Sequence, residues 1–178
     1  MPPPAENANV FKMKIKTIFR KAKISDAMKI KRTIDNYAKE GVMLFRPIYE
    51  IYGNIRDFFV AEEKSKIIGC CALHVLGEEY CPGRKGSILA EVRSLAVIKK
   101  EHGRGVGTQL VKACISEAKE MEVDKLFTLT AKKNAPFFKN IGFKEIDKSN
   151  LPQKIWQECI SCSRFPADCN EISLIRDV

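Results

Sequence analysis

A chain of 178 residues is long enough for one compact domain with a full core and short for two. Its hydrophobic content of 45% argues against disorder, and no apolar run approaches the roughly 20 residues that a membrane-spanning helix needs. The balance of 31 Lys and Arg against 22 Asp and Glu indicates an anionic partner, either nucleic acid, a membrane surface or a phosphorylated or carboxylated small molecule, or else a Lys-rich solvated surface.

Residues 1–15 are predicted to form a flexible tail, because the chain begins Pro-rich and polar and lacks the apolar stretch of a secretory signal. The seven Cys residues, without such a signal, favour reduced thiols and a cytoplasmic location. Cys70, Cys71 and Cys114 stand among apolar residues and are expected to act as small core hydrophobes.

Hydrophobic periodicity and turn residues predict strands and helices from residue 16 onward. The predicted strands are residues 16–23, 57–62, 67–76, 88–97, 125–130, 143–146 and 172–175. The predicted helices run from a cap at Ser25 or Asp26 to Gly41, from 107 to 121 and from 134 to 142, and residues 42–55 form a loop with a short helix. Residues 63–66 indicate a hairpin turn, and residues 148–170 are irregular. This order predicts one domain of the α/β or α+β class over residues 16–178, with a mixed, mostly antiparallel sheet and helices on both faces.

A glycine-rich loop precedes the long predicted helix. Glycines let backbone N–H groups turn toward one point, and the helix N-terminus adds a partial positive charge. These features are typical of a pyrophosphate cradle, although the same glycines would also serve a tight turn. The loop is not a Walker loop, since no Gly-Lys-Ser/Thr follows, and hairpin strands before it argue against a dinucleotide fold. The loop consists of His102, Gly103, Arg104, Gly105, Val106, Gly107 and Thr108.

Residues 90–97 (Ala-Glu-Val-Arg-Ser-Leu-Ala-Val), the glycine loop and residues 137–143 (Phe-Phe-Lys-Asn-Ile-Gly-Phe) together resemble the GCN5-related N-acetyltransferase (GNAT) family. The resemblance extends over residues 16–178 and implies acetyl-CoA as co-substrate, with its pyrophosphate on the glycine loop. It also implies that its pantetheine arm pairs with the backbone of one strand. The residues of that strand are Leu95, Ala96 and Val97, and two further candidate cofactor contacts are Asn134 and Phe138. His102 departs from the Arg or Gln that opens the loop in the family.

Three further segments, residues 41–46, 125–130 and 151–156, resemble the acetyltransferase domain of bacterial N-acetylglutamate synthases. The pattern is similar to the short, single-domain form, which also carries a Cys-rich tail. This resemblance implies an N-acetyltransferase that moves the acetyl group of acetyl-CoA to the α-amine of an amino acid. The implied acceptor is L-glutamate, and the implied pathway is arginine biosynthesis.

Acetyl transfer to an amine needs a base, a polarised thioester oxygen and a stabilised thiolate leaving group. Glu91 is the candidate base, because a carboxylate in mid-strand is costly unless it faces a wet cleft, and the family carries Glu at the matching position. The alternative is an ion pair with Arg93, two residues on and on the same strand face, and both can hold at once. By resemblance, a backbone N–H near Leu95 or Ala96 polarises the thioester. Phe138 stands where many family members carry a Tyr acid, so the thiolate leaves unprotonated or through water.

A glutamate acceptor carries two carboxylates and therefore requires at least two cationic groups. Arg46 matches the carboxylate-binding Arg of the family, and Arg93 is a second candidate. Lys132 or its neighbour Lys133 falls where the synthases often carry Arg, and Lys154 lies in the Leu-Pro-x-Lys segment. For each Lys the alternative is a solvated surface charge.

Three cysteines near the C-terminus, Cys159, Cys162 and Cys169, are candidate thiolate ligands of a structural zinc ion. A closed zinc site needs a fourth ligand, for which Cys81 and His74 are the candidates. The alternative is a cluster of thiols, reduced or adventitiously oxidised, that holds an irregular loop together.

Two other functions are left open by the sequence. One is a GNAT enzyme acting on a different amine, such as another amino acid, a small amine or a protein N-terminus, although the cationic residues argue against polyamine and aminoglycoside acceptors. The other is a non-catalytic module that binds acyl-CoA or nucleic acid. We expect an amino acid as small-molecule substrate, with neither nucleic acid nor a membrane as partner, and a homodimer is left open.

Overall fold

The computed structural model describes residues 16–78, 86–150 and 167–178, together with residues 155, 159, 160, 162, 164 and 165. The predicted tail of residues 1–15, Cys81 and Lys154 lie outside these residues. The strands are β1 (Ile18–Lys21), β2 (Phe58–Glu63), β3 (Lys66–Glu78), β4 (Ile88–Val97), β5 (Lys125–Ala131), β6 (Lys144–Ile146) and β7 (Glu171–Asp177). The helices are α1 (Ala27–Lys39), α2 (Ile48–Gly53), α3 (Val106–Glu120) and α4 (Ala135–Lys139).

The seven strands form one sheet in the order β1-β2-β3-β4-β5-β7-β6. Every neighbouring pair is antiparallel except β4 and β5, which run parallel. The hairpin between β2 and β3 turns at Lys64 and Ser65, both with positive φ, as a tight two-residue turn requires. The predicted mixed, mostly antiparallel sheet is therefore confirmed.

Helices cover both faces of the sheet, as predicted. The two long helices, α1 and α3, each pack one row of apolar side chains against the sheet. On one face α1 buries Ile30 and Ile34, four residues apart, in a cluster that includes α2 and the β3 residue Ala72. On the other face α3 buries Leu110 and Cys114 in a larger cluster that includes α4. Burying each large aliphatic side chain contributes about 1.5–3 kcal/mol, so the two clusters fix the sheet between its helices.

No helix within the described part of the chain is both long and apolar enough to cross a membrane.

Candidate active site

A cleft of about 420 Å³ opens in the sheet where β4 and β5 separate. The ladder between these strands pairs only residues 89–91 with residues 125–127, and its last pair is Glu91 with Phe127. Beyond that pair both strands continue and line the two sides of the cleft. The cleft brings together most of the predicted site residues: Arg46, Glu91, Arg93, Leu95, Ala96, Val97, His102, Gly107, Asn134, Phe138, Cys159, Cys162 and Cys169.

A β-bulge in β4 accounts for the separation of the strands. Ala72 pairs with Arg93 and Cys70 with Ala96, so two residues of β4, at positions 94 and 95, oppose the single residue Cys71 of β3. Ser94 adopts a φ of +54°, in the left-handed region. An extra residue of this kind bends the strand and increases its twist. The bulge therefore turns the second half of β4 away from β5 and leaves its backbone groups facing the cleft, where an extended ligand can pair with them.

The glycine loop has the backbone geometry of an anion site. Gly103 and Gly105 have φ values of +76° and +78°, and a Cβ built on either residue would meet nothing within 4 Å. Gly105 is also the N-cap of α3, whose 15 residues bring a partial positive charge and several N–H groups to this end. Of the predicted loop residues only His102 and Gly107 line the cleft itself.

Two side chains of the loop are engaged elsewhere. Val106 is buried in the core beneath α3, so only its backbone is placed for a ligand. The Arg104 guanidinium binds Glu63 on β2 at 2.8 Å and also contacts Glu101. Because Arg104 hydrogen-bonds to it, the pKa of the Glu63 carboxyl is held below its usual value. Arg104 thus anchors the loop to the sheet.

His102 and Tyr37 meet at the carbonyl oxygen of Val97. His102 Nε2 lies 2.8 Å from this oxygen and 2.8 Å from the Tyr37 hydroxyl, which also donates to Val97. The two rings stack at 6° with centroids 6.3 Å apart. Burial raises the pKa of the Tyr37 phenol, so it stays a proton donor to the carbonyl. The Val97 carbonyl thus already accepts hydrogen bonds from the protein. Of the three residues predicted to pair with the cofactor, Leu95 and Ala96 are therefore the stronger candidates.

Glu91 lies at the point where the strands part, buried to 5% exposure and lining the cleft. Its Oε2 is 3.7 Å from Nη1 of Arg93, whose side chain is also nearly buried. The alternative of an ion pair is therefore confirmed, and the same carboxylate faces the cleft. The role of Glu91 as the base stays a prediction.

The cofactor side of the cleft carries no acid at the expected place. Phe138 is buried and packs edge-to-face against Phe137 and Phe143, with centroid distances of 5.0 and 5.5 Å. Asn134 lines the cleft and has its amide nitrogen 3.4 Å from the Thr130 hydroxyl. These residues shape the wall, and the position of Phe138 offers no proton to a thiolate.

Arg46 lies on the segment between α1 and α2 and reaches the cleft on the face of the sheet covered by these helices. Its Nη1 donates to Oε1 of Glu50 at 2.8 Å, one helical turn away. Lys132 and Lys133 occupy an exposed turn after β5 and do not line the cleft, which departs from the expectation that this position serves the acceptor. Lys154 lies outside the described residues.

The C-terminal thiols line the cleft, a placement that their spacing in the sequence does not indicate. The N–H of Cys162 donates to the carbonyl of Cys159 at 3.0 Å, and Nζ of Lys148 lies 3.3 Å from Sγ of Cys169. Burial raises the pKa of the Cys159 thiol. Among the described residues no group of three His, Cys, Asp or Glu side chains is arranged to hold a metal ion. The expected zinc site is thus not supported, and His74, one proposed fourth ligand, is hydrogen-bonded to Asp57.

Comparisons with known proteins agree with this geometry. The profile of the acetyltransferase (GNAT) domain family matches residues 54–145. The chain is 41% identical over 160 residues to an uncharacterized N-acetyltransferase, CT2212, of Chlorobaculum tepidum, with 90% of this chain and 96% of that protein covered. The chain belongs to the GNAT acetyltransferase family, and it is an acetyl-CoA-dependent N-acetyltransferase.

More distant relatives carry amino-acid acceptors in their names. The amino-acid acetyltransferase of Mycobacterium tuberculosis is 29% identical over 163 residues, covering 89% of this chain and 87% of that protein. Among solved structures, Rv2747 from M. tuberculosis in complex with CoA and NLQ aligns with a TM-score of 0.73, at 25% identity over 90% of this chain and 99% of that one. N-acetylglutamate synthase from Neisseria gonorrhoeae, complexed with coenzyme A and N-acetyl-glutamate, shares the fold with a TM-score of 0.75, at 23% identity over 91% of this chain and 35% of that one.

Proposed function

We propose that this enzyme acetylates the α-amine of an amino acid, with L-glutamate as the preferred acceptor, and that it serves arginine biosynthesis. The observation that carries the proposal is the joint placement of Glu91, Arg46 and Arg93 in one cleft, beside the strand expected to pair with the cofactor. A base and two guanidinium groups match an acceptor with one amine and two carboxylates. The name of the M. tuberculosis relative, amino-acid acetyltransferase, supports an amino-acid acceptor.

The residues of the cleft fit acetyl-CoA. The N-terminus of α3 with its glycine loop would hold the pyrophosphate, and the backbone of Leu95 and Ala96 would pair with the pantetheine arm. Acetyl-CoA supplies the acetyl group as a thioester. Backbone N–H groups of β4 near the thioester oxygen would stabilise the negative charge that develops there.

Glu91 performs the proton chemistry in this proposal. Its carboxylate takes a proton from the acceptor ammonium, directly or through one water, so that the amine lone pair can attack the thioester carbon. The C–N bond then forms, the C–S bond breaks and the electron pair leaves on sulfur. Since Phe138 has no proton to give, the thiolate departs as the anion or takes a proton from water.

Arg46 and Arg93 act on the acceptor carboxylates. A guanidinium carries five N–H donors in a fixed fork, so Arg46 can serve Glu50 and a substrate carboxylate together. Arg93 keeps its contact with Glu91 while it faces the cleft, which places one cation next to the base.

The placement of Lys132 favours a second candidate acceptor. With Lys132 on an exposed turn, the Lys and Arg residues lining the described part of the cleft are Arg46 and Arg93. Arg93 also pairs with Glu91. An amino acid with an uncharged side chain needs one cationic partner fewer than glutamate and therefore also suits this site. Glutamine is the closest such acceptor in size.

The decisive experiment measures CoA release from acetyl-CoA with glutamate, glutamine, aspartate, spermidine and a short peptide. We expect glutamate to give the highest kcat/KM among the amino acids. Arg46→Ala should lower kcat/KM for glutamate by a factor of about 10 to 100, as the loss of a charge-assisted contact of about 1.5–3 kcal/mol implies, and leave the KM for acetyl-CoA unchanged.

Arg32→Ala is the matched control, because Arg32 is exposed on α1 and does not line the cleft. A higher kcat/KM for glutamine would replace glutamate by the second candidate. CoA release with spermidine or the peptide, and none with any amino acid, would refute the proposed acceptor class.

A further inference from the structure

Asp57 and His74 form a hydrogen-bonded pair next to the cleft. His74 Nδ1 lies 2.7 Å from Oδ2 of Asp57. Asp57 ends the turn that leads into β2, and His74 lies within β3, so two neighbouring parts of the sheet hold the pair. A carboxylate only accepts, so the Nδ1–H of His74 donates, and in the neutral ring Nε2 is left as the nitrogen that accepts a proton.

The strand register places His74 directly beside Glu91. His74 of β3 pairs with Glu91 of β4, just as Ala72 pairs with Arg93. Residues directly opposite each other in an antiparallel pair project from the same face, with Cβ atoms about 4.5–5.5 Å apart. Ala72 belongs to the core cluster under α1 and α2, so Glu91, His74 and Asp57 occupy that face together. This is also the face that Arg46 reaches.

Exposure increases along this row of side chains from the cleft to the surface. The side chain of Glu91 is 7% exposed, that of His74 20% and that of Asp57 26%. A nearly buried carboxylate that has taken a proton needs a route by which the proton reaches solvent before the next turnover. Charged side chains of this face beside the cleft include Arg93, which contacts Glu91, and Arg46, which pairs with Glu50. Arg20, Asp26 and Glu62 pair with one another at the β1 edge of the same face.

We propose that His74, oriented by Asp57, relays the proton from Glu91 to solvent. The inference rests on the proposed role of Glu91 as the base. The acceptor ammonium gives one proton to Glu91, Glu91 passes it to Nε2 of His74 directly or through one water, and the imidazolium returns one proton to solvent. Asp57 stabilises the imidazolium and fixes the ring. One proton leaves per acetyl group transferred and no group is oxidised or reduced. His74 and Asp57 are positioning residues, since neither touches the substrates.

The test compares His74→Gln and Asp57→Asn with the wild type, using acetyl-CoA and L-glutamate. A proton-relay step contributes less than direct general-base catalysis, whose range is about 10²–10⁴, so we expect kcat to fall by about tenfold in His74→Gln and less in Asp57→Asn. The KM for acetyl-CoA should not change. Added imidazole should restore kcat in His74→Gln several-fold and leave the wild type unaffected, which a merely structural role would not produce.

Two controls separate the possible failures. His102→Gln changes the only other histidine, at the cofactor end, and should raise the KM for acetyl-CoA without any dependence on imidazole. Glu91→Gln tests the base itself. A loss of kcat in Glu91→Gln overturns the relay alone if kcat is unchanged in both His74→Gln and Asp57→Asn, or if the lowered kcat of His74→Gln does not respond to imidazole. An unchanged kcat in Glu91→Gln overturns the assigned base and the relay with it. If His74→Gln does not fold, as thermal melting will show, Asp57→Asn decides, since a kcat equal to that of the wild type in this variant also overturns the relay.

Discussion

Gly105→Ala tests whether the glycine loop holds the cofactor. Gly105 has a φ of +78° at the N-cap of α3, and a Cβ added there would meet no protein atom within 4 Å. The substitution therefore causes no internal clash, and its direct effect is backbone strain. It changes the conformation and the surface of the loop where a pyrophosphate would approach the N–H groups.

The expected magnitudes follow from the left-handed backbone. An L-residue with a side chain pays about 1–2 kcal/mol there. For a domain of this size that lowers Tm by about 2–8 °C, at about 2–4 °C per kcal/mol. Acetyl-CoA at 100 times its Kd stabilises the wild type by about 2.7 kcal/mol, which raises Tm by about 5–11 °C. We expect Gly105→Ala to lose more than half of this ligand-induced rise.

The assay is thermal unfolding with and without acetyl-CoA, and Gly41→Ala is the matched control. Gly41 has a φ of +67° and likewise nothing within 4 Å of an added Cβ, but it follows α1, does not cap α3 and does not line the cleft. Both variants should lose similar stability without ligand, and only Gly105→Ala should lose the ligand-induced rise. An equal rise in both variants and the wild type would refute the cradle.

Two further predictions concern the core and the pH dependence of stability. Gly69→Ala would bring a Cβ within 3.1 Å of the carbonyl oxygen of Ala96, so we expect a loss of about 1–3 kcal/mol in urea unfolding, whereas Gly53→Ala, with nothing within 4 Å, should not destabilise. The guanidinium of Arg20, 2.7 Å from the buried carboxylate of Asp26, lowers the pKa of this carboxyl, so the stability it contributes is present at neutral pH and is lost in acid. Asp26→Asn should cost about 1.5–3 kcal/mol at pH 7, and the difference from wild type should shrink as the pH falls below about 4 in a urea series.

The sequence predicted those parts of the fold and site that local patterns determine. The bounds of β4 were predicted without error, because its mostly apolar run ends just before the charged residues 99–101. The glycine-rich turn before α3 was predicted because its backbone needs positive φ at Gly103 and Gly105, and its anion-binding role stays a prediction. The ion pair of Glu91 with Arg93 followed from the two-residue period of a strand.

Other features depend on tertiary contacts that no local pattern indicates. Tyr37 fits the apolar spacing of α1, yet its hydroxyl reaches a carbonyl 60 residues away. Lys132 was placed in the site by its position after β5, but the turn that follows Ala131 directs it to solvent. The spacing of Cys159, Cys162 and Cys169 suggested a metal site. In the structure these residues line the cleft, and no group of metal ligands forms among the described residues.

The bulge at Ser94 is the feature that joins the fold to the chemistry. Along a regular strand Glu91, Arg93 and Leu95 would share one face and Val92 and Ala96 the other. The extra residue reverses this alternation, so Leu95 packs toward α3 while Ala96 packs under α1, on the face that carries Glu91. The same reversal separates β4 from β5 directly after Glu91. A single inserted residue thus opens the cleft and places Glu91 at its closed end, which explains why the proposed base and the backbone groups expected to pair with acetyl-CoA come from one strand.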